Sequence, residues 1–292
     1  MNNGRPIFVI SDLHIGDGGP RDNFALGGRR KQLFGFLDHV AAKNGELIIA
    51  GDLFEFWQSS FSKVIVSNLP LLDRLAELHP AYILGNHDAD LNAFVDENLL
   101  AHPFFRTMCG PFTRSIAGRQ FRFMHGHEVD PFNWGDTPGW GRMLAIFAGI
   151  FEDRIGSPML PTGESVEEAL SAFGENLLRL WNWLANKLKK SVTGGRSPSP
   201  KHELTPAQNP DRATDMLAKY AADRDAKGYD VAVVGHTHQP GRIGEWYFNT
   251  GSWSTTGNNF VRIEPDGEVR VFDWRDGQGV PNQALLGEAT SD

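Results

Sequence analysis

Residues 7–14 read IFVISDLH and residues 47–54 read LIIAGDLF, two apolar runs that each end in a carboxylate. A short, unbroken apolar run closed by small or turn-forming residues is the pattern of a strand buried on both faces. The pattern recurs at Tyr82–Leu84 before GNHD (85–88), at Phe121–Met124 before HGH (125–127), and at Val231–Val234 before GHTH (235–238). The runs Ile7–Ile10, Leu47–Ala50, Tyr82–Leu84, Phe121–Met124 and Val231–Val234 are therefore predicted strands. Their ends deliver Asp12 and His14, Asp52, Asn86 and His87, His125, and His236 and His238. Such side chains meet only if the strands share one sheet or sandwich. The spacing predicts an α/β fold gathered around a two-metal centre.

Between these strands the first half alternates regularly. A Gly-rich loop from Gly16 to Gly28 leads to a helix near 29–43, whose Leu33, Phe36, Leu37 and Val40 fall at helical spacing. Helices are expected at about 61–78 and 89–99, and a hairpin is expected from 112–117 into 121–125 with Gly118 and Arg119 as its turn. Residues 130–200 lack a strand pattern. Leu170, Phe173, Leu177, Trp181, Leu184 and Leu188 step by three and four there, so this stretch reads as a helical insertion. Pro- and Gly-bearing residues 191–210 read as a linker, and a helix near 211–227 returns to strands near 245–249, 259–264 and 268–273. The expected organisation is a core of 1–129 with 211–276, a helical cap and linker at 130–210, and a peripheral tail at 277–292.

Composition narrows the function classes. Among 292 residues, 36 acidic against 28 basic side chains give a net charge of −8, which argues against a nucleic-acid face. The basic cluster Lys187, Lys189, Lys190 and Arg196 suits a helix end as well as a phosphate or membrane surface. Cys109 is the single cysteine, so no intrachain disulfide and no CxxC site exist. No apolar run reaches transmembrane length, and MNNGRPIFVI lacks a secretory signal pattern. These features fit the cytoplasm and leave room for peripheral contact with the inner face of a membrane. They do not address oligomeric state.

The donor set defines the chemistry. Carboxylate oxygens and imidazole nitrogens without thiolate favour Mn, Fe, Zn or Co, and so many histidines argue against Ca²⁺. Asp12 and His14, two residues apart at a strand end, can serve one ion, and His236 and His238 share that separation. Asp52 is the natural bridge, because a carboxylate can span ions about 3.5–4 Å apart. Asn86 adds a neutral oxygen. Gly51, Gly85, Gly126 and Gly235 permit sharp exits from the strands. Taken alone, Asp52 reads equally as a turn former or helix cap, and His125 as a hydrogen-bonded strand-end histidine. The set of five is what points to metal.

SDLH, GDLF, GNHD, HGH and GHTH, in that order, resemble the signature of the calcineurin-like metallophosphoesterases. The resemblance implies a four-layer sandwich, two β-sheets flanked by helices, with two divalent ions among which Mn and Fe are favoured. It implies one ion held by Asp12, His14, Asp52 and His238, and a second held by Asp52, Asn86, His125 and His236. GDLFEFW (51–57), the insertion after MHGHEVD (124–130), GHTHQP (235–240) and NTGSW (249–253) resemble the branch of UDP-2,3-diacylglucosamine pyrophosphohydrolase-like proteins. The chain departs from that branch at His87, where Arg is usual, and at His127, where Asp is usual.

The expected reaction is hydrolysis of a phosphodiester or pyrophosphate by a metal-activated hydroxide attacking in line. His87 is the candidate to protonate or stabilise the leaving oxygen, with Asp88 as its orienting carboxylate or as a helix cap. Arg21, Asn23 and His127 are candidate substrate contacts. The Trp-, Phe- and Leu-rich insertion suits internal packing, an acyl-chain or membrane surface, or a dimer contact. The preferred substrate is a UDP-linked or other phospholipid-like molecule. Alternatives are a phosphodiesterase of soluble nucleotides and a non-catalytic metal-binding scaffold.

Overall fold

Strand β1 (Ile7–Ile10) exposes no side chain, and its residues divide by parity between two cores. Phe8 and Ile10 pack with Phe36, Leu37 and Val40 of helix α1 (Arg29–Ala42), whereas Ile7 and Val9 pack with Phe121, Phe123, Val231 and Val233. Burial on both faces is why IFVI shows no polar alternation. In this computed structural model, residues 4–19, 22–57, 59–92, 102–129, 210–254 and 257–283 are described.

The remaining elements follow in order. They are β2 (Glu46–Ala50), α2 (Phe61–Ser67), α3 (Leu69–Leu78), β3 (Ala81–Ile83), β4 (Met108–Cys109), β5 (Phe112–Ile116) and β6 (Arg119–Phe123). Then come α4 (Pro210–Lys227), β7 (Val231–Val234), β8 (Gly241–Ile243), β9 (Tyr247–Asn249), β10 (Asn259–Ile263), β11 (Val269–Arg275) and β12 (Gln278–Asn282). One sheet runs β12-β11-β10-β1-β2-β3-β4, and the other runs β5-β6-β7-β9-β8. Within them β1, β2 and β3 are parallel, as are β6 and β7, so their carboxyl ends share a direction within each sheet. Ligands to α/β sheets gather at such ends.

Apolar packing fixes the layers. Val64 of α2 and Leu71, Leu72 and Leu75 of α3 join α1 in covering the outer face of the first sheet. The second core lies between the sheets. On the far side, Tyr220 of α4 stacks edge-on to Tyr247 at 5.1 Å, and Arg224 lies over Trp246. The result is the expected α/β sandwich of two sheets flanked by helices. The chain divides into a unit of 1–135 with 218–292 and a second of 136–217. The cap expected at 130–210, with its tryptophans and basic cluster, lies outside the described residues up to 209.

Local differences from the sequence reading have physical causes. The helix expected at 61–78 breaks at Asn68, whose side chain donates to Gly16 O at 2.9 Å and Val64 O at 2.7 Å, and Pro70 opens α3. The hairpin turn is Ala117–Gly118, both at positive φ, not Gly118–Arg119, because Ile116 pairs with Arg119. The helix expected from 89 is a 3₁₀ turn at Ala89–Leu91, and 93–101 lie outside the described residues. Strands β4, β8 and β12 had no counterpart in the reading, and β12 forms an edge within the stretch read as a tail.

Candidate metal centre

The loops after β1 and β2 are zipped together. Asp12 N donates to Gly51 O at 3.1 Å, Leu13 N and His14 N to Asp52 O at 2.9 and 3.0 Å, and Ile15 N to Leu53 O at 2.9 Å. Glu55 N returns to Ile15 O at 3.1 Å. The backbone thus fixes four charged or imidazole side chains, those of Asp12, His14, Asp52 and Glu55, before any of them meets a ligand. Left-handed backbone falls at the very residues that carry the chemistry: Asp12 (φ 54°), His14 (48°) and Asp52 (50°) in the zip, and His236 (71°) and His238 (58°) in the GHTH loop. Each such residue costs about 1–2 kcal/mol, a sum that a few fully buried side chains at about 1.5–3 kcal/mol offset. Strain of this kind gathers where a site dictates side-chain direction.

Two glycines make the approach possible. A Cβ on Gly51 (φ 94°) would run into the His125 ring, and one on Gly85 would run into the Asp52 carboxylate. Asp12 is then held from the other half of the chain. Its carbonyl accepts Trp253 N at 3.1 Å and Ser252 Oγ at 3.0 Å, and its Oδ2 accepts His236 N at 3.0 Å and the Ser11 hydroxyl. Asn249 Nδ2 donates to Gly235 O at 2.8 Å, so NTGSW ties the GHTH loop to Asp12.

The side chains meet in two overlapping groups. In the first, His238 Nε2 lies 3.1 Å from Asp12 Oδ1 and 3.1 Å from His14 Nε2, with His14 Nε2 3.9 Å from Asp12 Oδ1. In the second, His125 Nε2 lies 3.1 Å from Asn86 Oδ1 and 3.2 Å from Asp52 Oδ2. The same Asp52 Oδ2 stands 3.8 Å from His14 Nε2. Its partner oxygen Oδ1 accepts His87 N at 2.9 Å, so one oxygen of Asp52, not two, faces both groups. His236 packs beside His125, ring centroids 5.1 Å apart.

These donors fit divalent cations. Asp12 Oδ1 is buried without a hydrogen bond, and imidazole nitrogens and carboxylate oxygens converge on it. Burial pushes Asp12 up, but His238 and His125 outweigh it and hold it at about 2. Burial likewise opposes the ionised Asp52, yet His125 and His87 hold it well below the usual carboxylate range. Burial pushes His125 down, while Asp52 and Asp12 raise it to about 10. The pocket therefore demands positive charge at that ring, from a proton or from a cation. His125 Nδ1 lies 2.8 Å from Ala50 O, which suits a tautomer with Nε2 turned to a metal. The carboxylate–histidine groups Asp12/His14/His238 and Asp12/Asp52/His125 have the spacing to hold one or two divalent ions.

His87 sits at the edge of this cluster, its ring centroid 4.6 Å from that of His14. Asp88 does not orient it. The Asp88 carboxylate is fully buried and accepts Gly85 N at 2.6 Å, Leu53 N at 2.7 Å and the Tyr82 hydroxyl at 2.5 Å, and burial beside Asp52 raises it to about 6. Nor does that side chain cap the turn that follows. It ties the Asp52 loop to the Asn86 loop. The carboxylate on His87 Nδ1 is Glu55 Oε2, at 2.8 Å, and the same oxygen is 3.4 Å from His14 Nδ1. Burial works against its charge, but His87 and His14 hold Glu55 below the usual range.

Sequence reasoning missed Glu55. The available signal was a lone acid inside the apolar run LFEFW, which must find a partner once buried. Trp57 was missed with it, and its indole stacks on His87 at 3.7 Å. Of the candidate substrate contacts, His127 lies beside His125 and His236, ring centroids 5.4 and 6.5 Å away. Burial holds it neutral, at about 4. Asn23 opens a 3₁₀ turn, where its carbonyl accepts Arg29 Nη1 at 2.7 Å, and no described contact joins it to the cluster. Arg21 lies outside the described residues.

The family model of calcineurin-like phosphoesterases matches residues 5–240. The chain belongs to that family. No curated protein shows significant similarity to this calcineurin-like phosphoesterase. Among solved structures, vacuolar protein sorting 29 of Cryptosporidium parvum aligns at 14% identity over 96% of each chain, with a TM-score of 0.44. Vps29 of Entamoeba histolytica, solved with zinc, aligns at 13% identity over 95% of this chain and 97% of its own, with a TM-score of 0.41. A conserved uncharacterized protein of Streptococcus pneumoniae TIGR4, described as a predicted phosphoesterase, aligns at 11% identity over 96% and 98%, with a TM-score of 0.37.

Proposed function

We propose that the chain hydrolyses a phosphodiester or pyrophosphate with two divalent ions, one held by Asp12, His14, Asp52 and His238, the other by Asp52, Asn86, His125 and His236. The observation that carries this reading is Asp52 Oδ2, which faces His14 Nε2 at 3.8 Å and His125 Nε2 at 3.2 Å. When bound, such ions neutralise phosphoryl charge and acidify a water that attacks phosphorus. The oxygen and nitrogen donor set favours Mn or Fe, with Zn and Co as further candidates.

The chain's own groups do the rest. Asp12 and Asp52 remain ionised at neutral pH and offset the cations' charge. Glu55 takes Nδ1 of His87, so exchange of a proton with the leaving oxygen falls to Nε2. Asp88, through Leu53 N and Gly85 N, keeps the Asp52 and Asn86 loops at a fixed spacing. His127, neutral beside the second group, is the nearest candidate for a polar contact with substrate.

The substrate preference is a UDP-linked or other phospholipid-like molecule, supported by the order of GDLFEFW, GHTHQP and NTGSW in the sequence. Among the described residues no helix is long and apolar enough to cross a membrane. The test compares bis(p-nitrophenyl) phosphate, p-nitrophenyl phosphate and a UDP-linked diacylated sugar, using protein stripped of metal and then given Mn²⁺. Diester or pyrophosphate cleavage that requires Mn²⁺ is expected. Full activity after stripping overturns the metal mechanism, indifference to the acyl chains overturns the lipid preference, and inertness toward all three leaves a binding scaffold.

A further inference from the structure

His87 is held by more than its hydrogen bond. A bond from Nδ1 to Glu55 Oε2, at 2.8 Å, fixes where that nitrogen sits. Trp57 bears on the plane of the ring, because its indole lies face to face with His87, centroids 3.7 Å apart and planes inclined by 22°. His14 meets the same imidazole edge-on, at 4.6 Å and 86°.

The stack is anchored by the group that anchors the hydrogen bond. Trp57 N donates to Glu55 Oε1 at 2.9 Å while Glu55 Oε2 faces His87. The carboxylate thus sets the start of the indole and one nitrogen of the imidazole together, and Glu55, Phe56 and Trp57 form a short clamp on a residue 30 positions downstream of Trp57 (87 − 57). Among the described residues Trp57 is only partly buried and lies outside both apolar clusters, unlike its neighbour Phe56. Its large flat face lies against His87.

We propose that Trp57 is a positioning residue: its stacked indole fixes the plane of His87 so that Nε2 is directed at the leaving oxygen. This deepens the hydrolase reading given above and rests on it. Stacking of indole on imidazole selects one ring orientation over its neighbours by up to about tenfold. A misdirected imidazole still occupies the site, so the loss appears only where the leaving group needs a proton.

The test uses two methyl aryl phosphodiesters, one releasing phenol and one releasing the far more acidic 2,4-dinitrophenol, with wild type and W57F, W57L and H87A in the full chain with Mn²⁺. For W57L we expect kcat on the phenyl ester to fall about 5–10-fold, a fraction of the general-acid factor of roughly 10²–10⁴. On the dinitrophenyl ester it should fall less than about 3-fold, because that group departs without a proton. W57F, which retains an aromatic face, should recover most of the phenyl-ester rate. Bound metal should be unchanged in both.

Equal losses on the two esters, or a change confined to KM, overturn the role given to Trp57. So does a selective loss in H87A that W57L does not share. If H87A itself shows no selectivity between the esters, the acid role of His87 falls and the role of Trp57 falls with it. If wild type cleaves neither ester, the hydrolase reading fails first. Metal content and thermal unfolding of W57L and W57F separate each of these from simple misfolding.

Discussion

Glu55 Oε2 lies 2.8 Å from His87 Nδ1 and 3.4 Å from His14 Nδ1, so one carboxylate steadies two imidazoles at the edge of the same cluster. Removing its charge should misalign both without dismantling the site. E55Q is expected to lower kcat on an unactivated diester by about 10–100-fold, the usual cost of losing an outer partner. KM should change little. Steady-state kinetics alongside metal analysis checks this, and an unchanged kcat would remove Glu55 from the machinery.

Asp52 should behave differently, because its Oδ2 serves both groups while its Oδ1 holds His87 N. D52N should weaken metal binding by more than the roughly 10–100-fold lost with an outer partner. Elemental analysis after gel filtration should find less than half of the wild-type metal. Retention of the full complement would show that the groups do not depend on a shared oxygen.

Asp88 is a structural tie, and its loss should register in stability first. D88A strands the N–H groups of Leu53 and Gly85 and the Tyr82 hydroxyl in a buried place. Each unsatisfied group costs about 1–3 kcal/mol, so a destabilisation of about 3 kcal/mol or more is expected in urea unfolding. An effect below about 1 kcal/mol would contradict the role assigned to it.

The His125 shift predicts a pH dependence in metal-free protein. Its folded value, about 10, exceeds the ordinary 6.5, so the folded state holds a proton that the unfolded state releases. The stabilisation is fully present below about pH 6.5 and is lost as pH rises toward 10. Thermal unfolding of stripped protein should therefore weaken across that window. With metal bound, the cation replaces the proton and the slope should flatten. Identical slopes with and without metal would contradict the assignment of Nε2 to the ion.

How much was legible follows from what each residue depends on. IFVI, LIIA and VAVV announce buried strands because covering both faces removes every polar position. The side chains just past those strands converge because parallel strands deliver them at one end. Strands β4 and β8 are too short to alternate, and Pro281 obscures β12. Asp88 misled through adjacency: it follows His87 in the chain, yet its side chain is turned toward Tyr82 and two backbone amides. Glu55 escaped notice because its partner lies 32 residues away and is reached only after the loop doubles back onto Ile15.

The grip of Ser252 and Trp253 on the Asp12 carbonyl bears on biosynthesis. Ser252 and Asp12 are 240 positions apart, so SDLH leaves the ribosome long before the groups that lock it in place. A nascent chain displays Asp12 and His14 without His236, His238 or NTGSW, and a pair of side chains on an untethered loop is a poor trap for a cation. A site that needs both halves is thereby complete only once residues 236–253 have been made, which keeps the growing polypeptide from wrapping an ion around half a site.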